Sequence, residues 1–360
     1  MSEHCITLLG RQDEPTDAVE EYCQYLGRAL VAHNLNVELV RVNWAELGWR
    51  KALKELRENA ANWRGRWVLL QYTALGWSNR GVPMRLLRMV NLLRAAGVRL
   101  AVVYHDCDAY HGSRCIDRVR RSTQLFAMRR VLFAADFAVS TIPAEKLLWL
   151  PRNSPRPVFI PVGANLPPEQ VTRAAELCTP PTITVFGITG GGEGQVEARK
   201  ISDAVQLASR QLGALRLEVF GRHAELRERF LRESLRDVPV QVEVSGVLPA
   251  ADVVGKLARS DVLLFLRGSI STRRGSAIAG IACGLPVIAH SGRETGPPIT
   301  DAGVVLVPQD SREVAAALIR VLSDPVYRDR LAAQSRVAYQ RYFSWRAIAG
   351  RYAEAMRSRA

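Results

Sequence analysis

The stretch "SISTRRGSAIAGIACGLPVIAH" (residues 269–290) decides how the second half of this chain is read. The small and apolar residues from Gly275 onward predict a closely packed helix, and Pro286–Ala289 predicts a buried strand. Arg273 and Arg274 stand where a helix ordinarily begins with a hydroxyl or acidic side chain, because its first N–H groups carry partial positive charge. An anion held between these arginines and the helix would resolve the conflict. The stretch therefore predicts an anion site.

Apolar strand runs alternate with helical patterns along the whole chain. Such alternation predicts parallel sheets covered by helices, the α/β class. The predicted strands of the first half are Ile6–Leu9, Val37–Val42, Trp67–Tyr72, Leu100–Tyr104, Phe137–Thr141 and Val158–Val162, with helices at 15–33, 44–60, 83–96 and 115–134. The predicted strands of the second half are Ile183–Phe186, Leu215–Phe220, Val240–Val244, Val262–Leu266, Pro286–Ala289 and Val304–Val307.

A proline-rich segment, "PVGANLPPEQ" (161–170), separates the two halves. The chain has 360 residues, and single cores usually split beyond roughly 250–300 residues, so two domains are expected. We place the first at 1–164 and the second at 165–340. Two α/β halves joined in this way imply a cleft, with ligands bound beyond the carboxyl ends of the strands.

The chain is strongly basic, with a formal net charge of +14. Only five of its 49 basic residues are lysines, and an excess of arginine is also what a GC-rich genome produces. The charge keeps a basic nucleic-acid-binding protein open as an alternative, although we expect no nucleic-acid partner.

Targeting signals and cysteine patterns favour the cytoplasm. The first residues show neither a basic region nor an apolar one, and no apolar run reaches the ~18 residues of a membrane-spanning helix. The six cysteines are scattered without a C-x-x-C pair, as expected for reduced thiols. We therefore expect a cytoplasmic protein.

Two segments of the second half are candidates for binding the anion. "VFGITGGGEG" (185–194) follows a predicted strand and precedes a helix, an arrangement in which glycine N–H groups turn toward phosphate. It matches neither G-x-G-x-x-G nor the P-loop pattern, so a plain tight turn stays open. The candidate binding residues are Gly187, Thr189, Gly190, Gly191, Arg199, Lys200, Arg273, Arg274, Gly275 and Ser276. Both arginines of the opening stretch could alternatively be solvated surface residues.

The first half carries polar residues after a strand in "VVYHDCDAYHGSRC" (102–115). His105 ends that strand and is the candidate catalytic residue, for acid–base work or hydrogen bonding, and Asp106 is the candidate on the acceptor side. Asp106 and Asp108 also form the D-x-D that binds a divalent metal in some transferases. A zinc site of His105, Cys107, His111 and Cys115 is a further alternative with no standard spacing. We expect no metal.

The predicted helix at 115–134 is basic and amphipathic. "DRVRRSTQLFAMRRVLFAADF" (117–137) interleaves arginines with leucine, valine and phenylalanine. Such a helix suits the surface of an anionic membrane, which would make the protein peripheral on the inner membrane face. Such a pattern more often belongs to a helix that covers a sheet and exposes its charged side.

Several segments resemble the GT-B glycosyltransferases, particularly glycosyltransferase family 4. "GIACGLPVIAHSG" (280–292) resembles the family's helix, Cys-Gly-x-Pro turn and strand, and "HD" (105–106) its first-domain histidine. "IPVGAN" (160–165) is similar to the interdomain segment. The segment "VEEYCQYLGRALVAHNLNVELVRV" (19–42) resembles the family's first helix and second strand. The family's two closing helices are similar to "DPVYRDRLAAQSR" (324–336) and "FSWRAIAGRY" (343–352).

The chain departs from the family's pattern at the donor site. Ser271 and Ala279 stand where the family usually has two glutamates, of which the second holds the nucleotide ribose; Glu294 is the candidate replacement. Ile188 stands where the family has an arginine that grips the diphosphate. "RQDEPTDA" (11–18) replaces a Gly-Gly turn. We therefore expect four residues to replace the family's diphosphate clamp, the cations that grip the diphosphate: Arg199, Lys200, Arg273 and Arg274.

The resemblance implies two Rossmann-like domains, with residues 341–360 returning to the first domain. It implies transfer of a sugar from a nucleotide-sugar, which is a co-substrate rather than a cofactor, to a saccharide, lipid-linked or other acceptor. Retention of anomeric configuration without a metal is expected. A catalytically degenerate scaffold stays open, since the paired glutamates are missing. A sugar-nucleotide epimerase is a further alternative, but it would need catalytic carboxylates at the cleft, where no clear pair appears.

Overall fold

A computed structural model describes residues 3–167 and 179–359 of the chain. The chain forms two compact units, Met1–Pro161 with Trp345–Ala360, and Val162–Ser344. The boundaries therefore fall at Pro161 and Ser344, against the expected 164 and 340. Residues 168–170 of the proline-rich segment and Cys178 lie outside the described residues.

The first unit is built on a parallel sheet that has six strands in the described part of the chain. Their order is β2-β1-β3-β4-β5-β6, and neighbouring strands pair in parallel. The strands are Glu3–Leu9 (β1), Leu35–Arg41 (β2), Trp67–Tyr72 (β3), Arg99–Tyr104 (β4), Phe137–Ser140 (β5) and Val158–Phe159 (β6). The helices are Ala18–Leu30 (α1), Trp44–Leu47 (α2), Trp49–Ala60 (α3), Met84–Ala95 (α4), Cys115–Ala134 (α5) and the C-terminal Trp345–Arg357.

The C-terminal helix of the first unit packs on α1. The hydroxyl groups of Tyr22 and Tyr352 lie 3.0 Å apart and are both buried, and the Trp345 ring contacts the rings of Tyr22 and Tyr25. Side chains of this size bury 150–250 Å² each, so the aromatic contacts account for much of the attachment.

The second unit repeats the architecture. Its sheet has the order β12-β11-β10-β7-β8-β9 and is also parallel. The strands are Thr182–Phe186 (β7), Leu215–Phe220 (β8), Val240–Val244 (β9), Val262–Ser269 (β10), Val287–His290 (β11) and Val304–Val307 (β12). The helices are Gly191–Leu212 (α6), Glu228–Leu235 (α7), Ala250–Ala258 (α8), Gly275–Ala282 (α9), Ser311–Ser323 (α10) and Pro325–Ala338 (α11), followed by a π-helical turn at Tyr339–Phe343; the C-terminal helix is α12.

Parallel sheets need covered faces, and the sequence supplies them. All six residues of β3 are buried, as are the last six of α9, Ala277–Ala282. The small side chains of α9 let this helix lie directly against the sheet. The predicted α/β class with parallel sheets is confirmed.

Candidate functional site

The second unit carries a cavity of about 210 Å³ at the carboxyl edge of its sheet. In open α/β sheets this edge is where ligands bind. The lining residues follow β7, end β10 and β11, follow β12, or lie on the first turns of α6: Thr189, Glu193, Val196, Glu197, Lys200, Leu266, Arg267, Gly268, His290 and Gln309.

The glycine-rich segment forms the turn between β7 and α6. Gly187 has a φ of +80° and donates its N–H to the carbonyl oxygen of Phe220 at 2.7 Å. Gly190 precedes α6, which begins at Gly191. At Gly194 a Cβ atom would lie 1.9 Å from the carbonyl oxygen of Thr189, so only glycine lets the helix approach the turn this closely. The segment is therefore a tight turn beside the cavity whose conformation requires glycine at Gly187 and Gly194.

Two cations line the cavity. Lys200 on α6 donates from Nζ to Gln309 Oε1 at 3.2 Å. Arg267, near the end of β10, is half-buried, and its burial lowers the pKa of its guanidinium. Arg199, which the sequence also proposes, is exposed on α6 and does not line the cavity.

The stretch with the paired arginines lies beside this cavity, and α9 begins at Gly275 as the sequence predicts. Arg274 precedes the helix and makes no side-chain cap bond to it; its Nε donates to the carbonyl oxygen of Ser269 at 3.3 Å. Burial and the neighbouring charge of Arg273 lower the pKa of Arg274 to about 10, and Arg267 adds to the effect. Arg274 therefore remains a cation at neutral pH, although the neighbouring charges of Arg273 and Arg267 make its own positive charge unfavourable.

Arg273 is already paired with an anion of the protein itself. Its Nε donates to Glu294 Oε2 at 2.7 Å and its Nη2 to Glu294 Oε1 at 3.1 Å. Burial alone would raise the pKa of Glu294, but the bond from Arg273 and the charges of Arg273 and Arg274 lower it, with a smaller contribution from the nearby Ser271 side chain. The candidate replacement for the family's glutamates thus lies beside Ser271, one of the two positions where a glutamate is missing.

The arginine and glycine candidates at the start of α9 lie beside the cavity. Gly275 is exposed and Ser276 is half-buried at the first turn of the helix. A Cβ atom on Gly268 would lie 3.8 Å from Arg274 Nη2, which brings this group next to the cavity lining. Arg267, Arg274 and the start of α9 place positive charge beside the cavity, while Glu193 and Glu197 place carboxylates in its lining.

The first unit holds the other candidates, His105 and Asp106. The Nε2 of His105 lies 2.8 Å from Gln71 Oε1, and the Tyr22 ring meets the imidazole edge-on at 5.0 Å. Because an amide oxygen only accepts, Nε2 carries the proton in this arrangement. Burial lowers the pKa of His105 to about 4, so the ring is neutral at pH 7.

Asp106 lines a second cavity, of about 230 Å³, within the first unit. Its Oδ2 accepts the N–H of Ala74 at 2.7 Å. The cavity also includes Asp17 and Arg41, which pair with each other at 3.1 Å. His105 does not line it, although its partner Gln71 does.

The metal alternatives find no support in the side-chain positions. Within residues 3–167 and 179–359, no group of three or more His, Cys, Asp or Glu side chains converges as a metal site. Cys107 is buried with its Sγ 3.1 Å from Thr141 Oγ1, while Asp108 bonds His111 at the exposed side of the loop. Cys115 is exposed at the start of α5. In the described residues the cysteines Cys5, Cys23, Cys107, Cys115 and Cys283 are free thiols.

Comparison with protein families identifies the second unit. The family model described as Glycosyl transferases group 1 matches residues 193–324. These residues contain α6, β10, α9 and most of the cavity lining. The second unit is a glycosyl transferases group 1 domain. No curated protein sequence matches the chain.

Solved structures share the fold of the whole glycosyltransferase chain at low identity. HepE from Anabaena, crystallised with UDP and glucose, is 14% identical with a TM-score of 0.68, over 99% of this chain and 100% of HepE. A glycosyltransferase from Rickettsia africae is 11% identical with a TM-score of 0.68, over 99% and 98%. WaaG, a glycosyltransferase involved in lipopolysaccharide biosynthesis, is 14% identical with a TM-score of 0.63, over 98% and 99%. The chain has the GT-B fold, and the predictions of fold and glycosyltransferase class are confirmed.

The sequence prediction missed most of the cavity residues, among them Arg267, Glu197 and His290. Arg267 and His290 directly follow predicted strands, and Glu197 lies on the helix predicted after the glycine-rich turn. The available signal was position: Arg267 and His290 end apolar strands at the carboxyl edge, and Glu197 precedes the buried Ala198 on α6.

Proposed function

We propose that this chain transfers a sugar from a nucleoside-diphosphate sugar, with a UDP-sugar as the first candidate, to a saccharide or lipid-linked acceptor. The observation that carries the proposal is a group of three cations, Arg267, Lys200 and Arg274, at the carboxyl edge of the second sheet. Arg267 and Lys200 line the cavity there together with Glu193 and Glu197, and the Arg274 side chain donates to a carbonyl oxygen rather than to an anion. A diphosphate satisfies these cations, and the fold neighbour HepE binds UDP.

The same cations can stabilise the reaction. Negative charge accumulates on the departing diphosphate, and fixed cations together with a helix N-terminus lower the energy of that state. In this proposal Arg267, Arg274 and Lys200 do what a divalent ion does in other transferases, so the reaction needs neither metal nor cofactor. Retention of configuration rests on the family resemblance.

The acceptor is assigned to the first unit. His105 is neutral, and with Nε2 donating to Gln71 its Nδ1 lone pair is left to accept a hydroxyl hydrogen. Asp106 contributes a carboxylate to the cavity of the first unit. Both groups suit the hydroxyls of a saccharide.

Contact with an anionic membrane is a separate part of the proposal, and it rests on α5. Ile116, Val119, Phe126 and Phe133 are 53%, 52%, 49% and 57% exposed. At 100° per residue they fall on one side of the helix. The arginines 118, 129 and 130 are exposed on the same helix. Apolar side chains flanked by arginine match a bilayer surface of anionic lipid. No helix in the described ranges has the length and apolar character to cross a bilayer.

Donor binding is tested by thermal shift with UDP-, GDP-, dTDP- and ADP-sugars. A ligand at 100 times its Kd adds about 2.7 kcal/mol to stability, an easily measured shift. Product analysis by NMR follows, with and without oligosaccharide acceptors. A new glycosidic bond with retained configuration supports the proposal. An epimerised sugar without acceptor would identify an epimerase, binding without turnover a scaffold, and a shift with RNA or DNA alone a nucleic-acid-binding protein.

Membrane contact is tested by co-sedimentation with vesicles of phosphatidylcholine alone or mixed with phosphatidylglycerol. We expect binding only to the anionic vesicles, and its loss in Phe126→Ser with Phe133→Ser. The matched control is Val326→Ser with Val337→Ser on α11, whose side chains are 81% and 63% exposed. Equal sedimentation of both double variants would show that α5 is not the contact.

A further inference from the structure

Two buried polar atoms that line the donor cavity have no hydrogen-bond partner. Glu197 is 5% exposed and His290 is 1% exposed, and both line the cavity. Glu197 Oε1 and His290 Nε2 make no hydrogen bond in the described part of the molecule. A buried polar atom left unpaired is unfavourable, and native proteins rarely keep one without a reason. Two at one cavity indicate that a ligand satisfies them.

Both atoms are hydrogen-bond acceptors by their chemistry. The Nδ1 of His290 lies 3.2 Å from the carbonyl oxygen of Val307, so Nδ1 carries the proton and Nε2 presents a lone pair. Burial lowers the pKa of His290 and the nearby charge of Lys200 adds to this, which keeps the ring neutral. The Oε2 of Glu197 accepts the N–H of Thr189 at 2.9 Å, and its Oε1 is the atom left without a partner.

The ligand group at these atoms must therefore donate. The same cavity is lined by Arg267 and Lys200, which donate to anionic oxygens. A ligand that brings hydroxyl donors and phosphate acceptors side by side fits this pattern. Nucleotide-sugars have that combination twice, at the ribose and at the transferred sugar.

We propose that Glu197 and His290 accept hydrogen bonds from hydroxyl groups of the donor substrate and so determine which donors the enzyme takes. The inference rests on the proposed function, because it concerns the same donor. A site built to accept a hydroxyl discriminates strongly against an analogue that lacks it, since its buried acceptors are then left unpaired. The sequence pattern gave these two residues no role.

The test measures discrimination rather than affinity alone. Isothermal titration of the whole chain compares UDP with 2′-deoxy- and 3′-deoxy-UDP for the ribose, and UDP-glucose with its deoxyglucose analogues for the sugar. Glu197→Gln can keep the bond to Thr189 through its amide oxygen while an NH₂ group replaces Oε1. His290→Gln replaces the ring acceptor. Glu313→Gln, exposed on α10, is the control.

We expect the wild-type chain to prefer the hydroxylated ligand of one pair at least tenfold, and each variant to lose most of that preference. The ligand pair that responds identifies the ribose or the sugar as the source of the hydroxyl. Urea unfolding of both variants separates misfolding from lost recognition, because misfolding weakens both members of a pair equally. Tight nucleotide binding with unchanged preferences in both variants would overturn this inference and leave the proposed function standing. No binding of any nucleoside diphosphate by the wild type would overturn both.

Discussion

Arg273 and Glu294 form a two-bond ion pair just before α9, with N···O distances of 2.7 and 3.1 Å. The side chains are 26% and 11% exposed. The protein thus supplies an internal anion to one of the two arginines that the sequence singles out. Arg274 donates to a neutral carbonyl instead. The two adjacent arginines therefore have different roles: Arg273 holds Glu294 in place, and Arg274 is the stronger candidate for binding the diphosphate.

The ion pair should contribute measurably to stability. We expect Arg273→Gln and Glu294→Gln each to lower the free energy of unfolding by about 1–2 kcal/mol, because each leaves a half-buried charge without its partner. The double variant should lose less than the sum, with a coupling of about 1 kcal/mol in urea unfolding.

The control for this cycle is the exposed pair Arg229 and Glu233 on α7, which are 91% and 60% exposed. Exposed pairs one helical turn apart are worth about 0.3–0.5 kcal/mol. Strict additivity at Arg273 and Glu294 would mean that the pair contributes nothing beyond its separate side chains.

Arg274 should matter more for the ligand than for the fold. Arg274→Gln is expected to weaken UDP or UDP-sugar binding at least tenfold, since it removes a half-buried cation next to the cavity. Unfolding without ligand should change little or improve, because the charge of Arg274 is unfavourable beside Arg273 and Arg267. Titration calorimetry measures the first effect and urea unfolding the second. Arg210→Gln, exposed near the end of α6, is the control, and equal affinity in both variants would exclude Arg274 from the clamp.

The fold could be predicted from sequence because its central strands, such as β3 and β4, are buried on both faces. Apolar runs such as Trp67–Tyr72 and Val304–Val307 have the same bounds in the structure. The errors are local. β6 ends at Phe159 rather than at 162, close to Pro161, which has no N–H to donate to the ladder. β10 continues to Ser269, past an irregular register between Phe265 and Ser269 that no hydrophobic pattern indicates.

The site could be predicted only in part. Lys200 and Arg274 stand next to recognisable features, a glycine-rich turn and a helix start. Glu294 pairs with an arginine 21 positions away, and only the fold brings them together. The unpaired atoms of Glu197 and His290 are invisible in the sequence, because pairing is a property of the folded surroundings.

The turn at the cavity should depend on glycine at one position of α6 and not at its neighbour. Gly194→Ala places a methyl group where the carbonyl oxygen of Thr189 lies 1.9 Å away, so we expect a loss of about 2–4 kcal/mol and weaker nucleotide binding. Gly192→Ala meets nothing within 4 Å and should be neutral or stabilising by up to about 1 kcal/mol. Urea unfolding compares the two. Similar losses in both would contradict the close approach at Gly194.

The stability of the chain should fall in mild acid because of His105. Its pKa is about 4 in the folded protein, chiefly through burial, against an ordinary value near 6.5. Between these pH values the unfolded chain binds a proton that the folded chain does not, so the free energy of unfolding decreases as the pH falls. His105→Gln lacks this titration. The difference in unfolding free energy between wild type and variant should therefore shift by about 2 kcal/mol in favour of the variant from pH 7.5 to 4.5. Urea unfolding at several pH values measures it, and parallel curves for the two proteins would show that His105 titrates alike in both states.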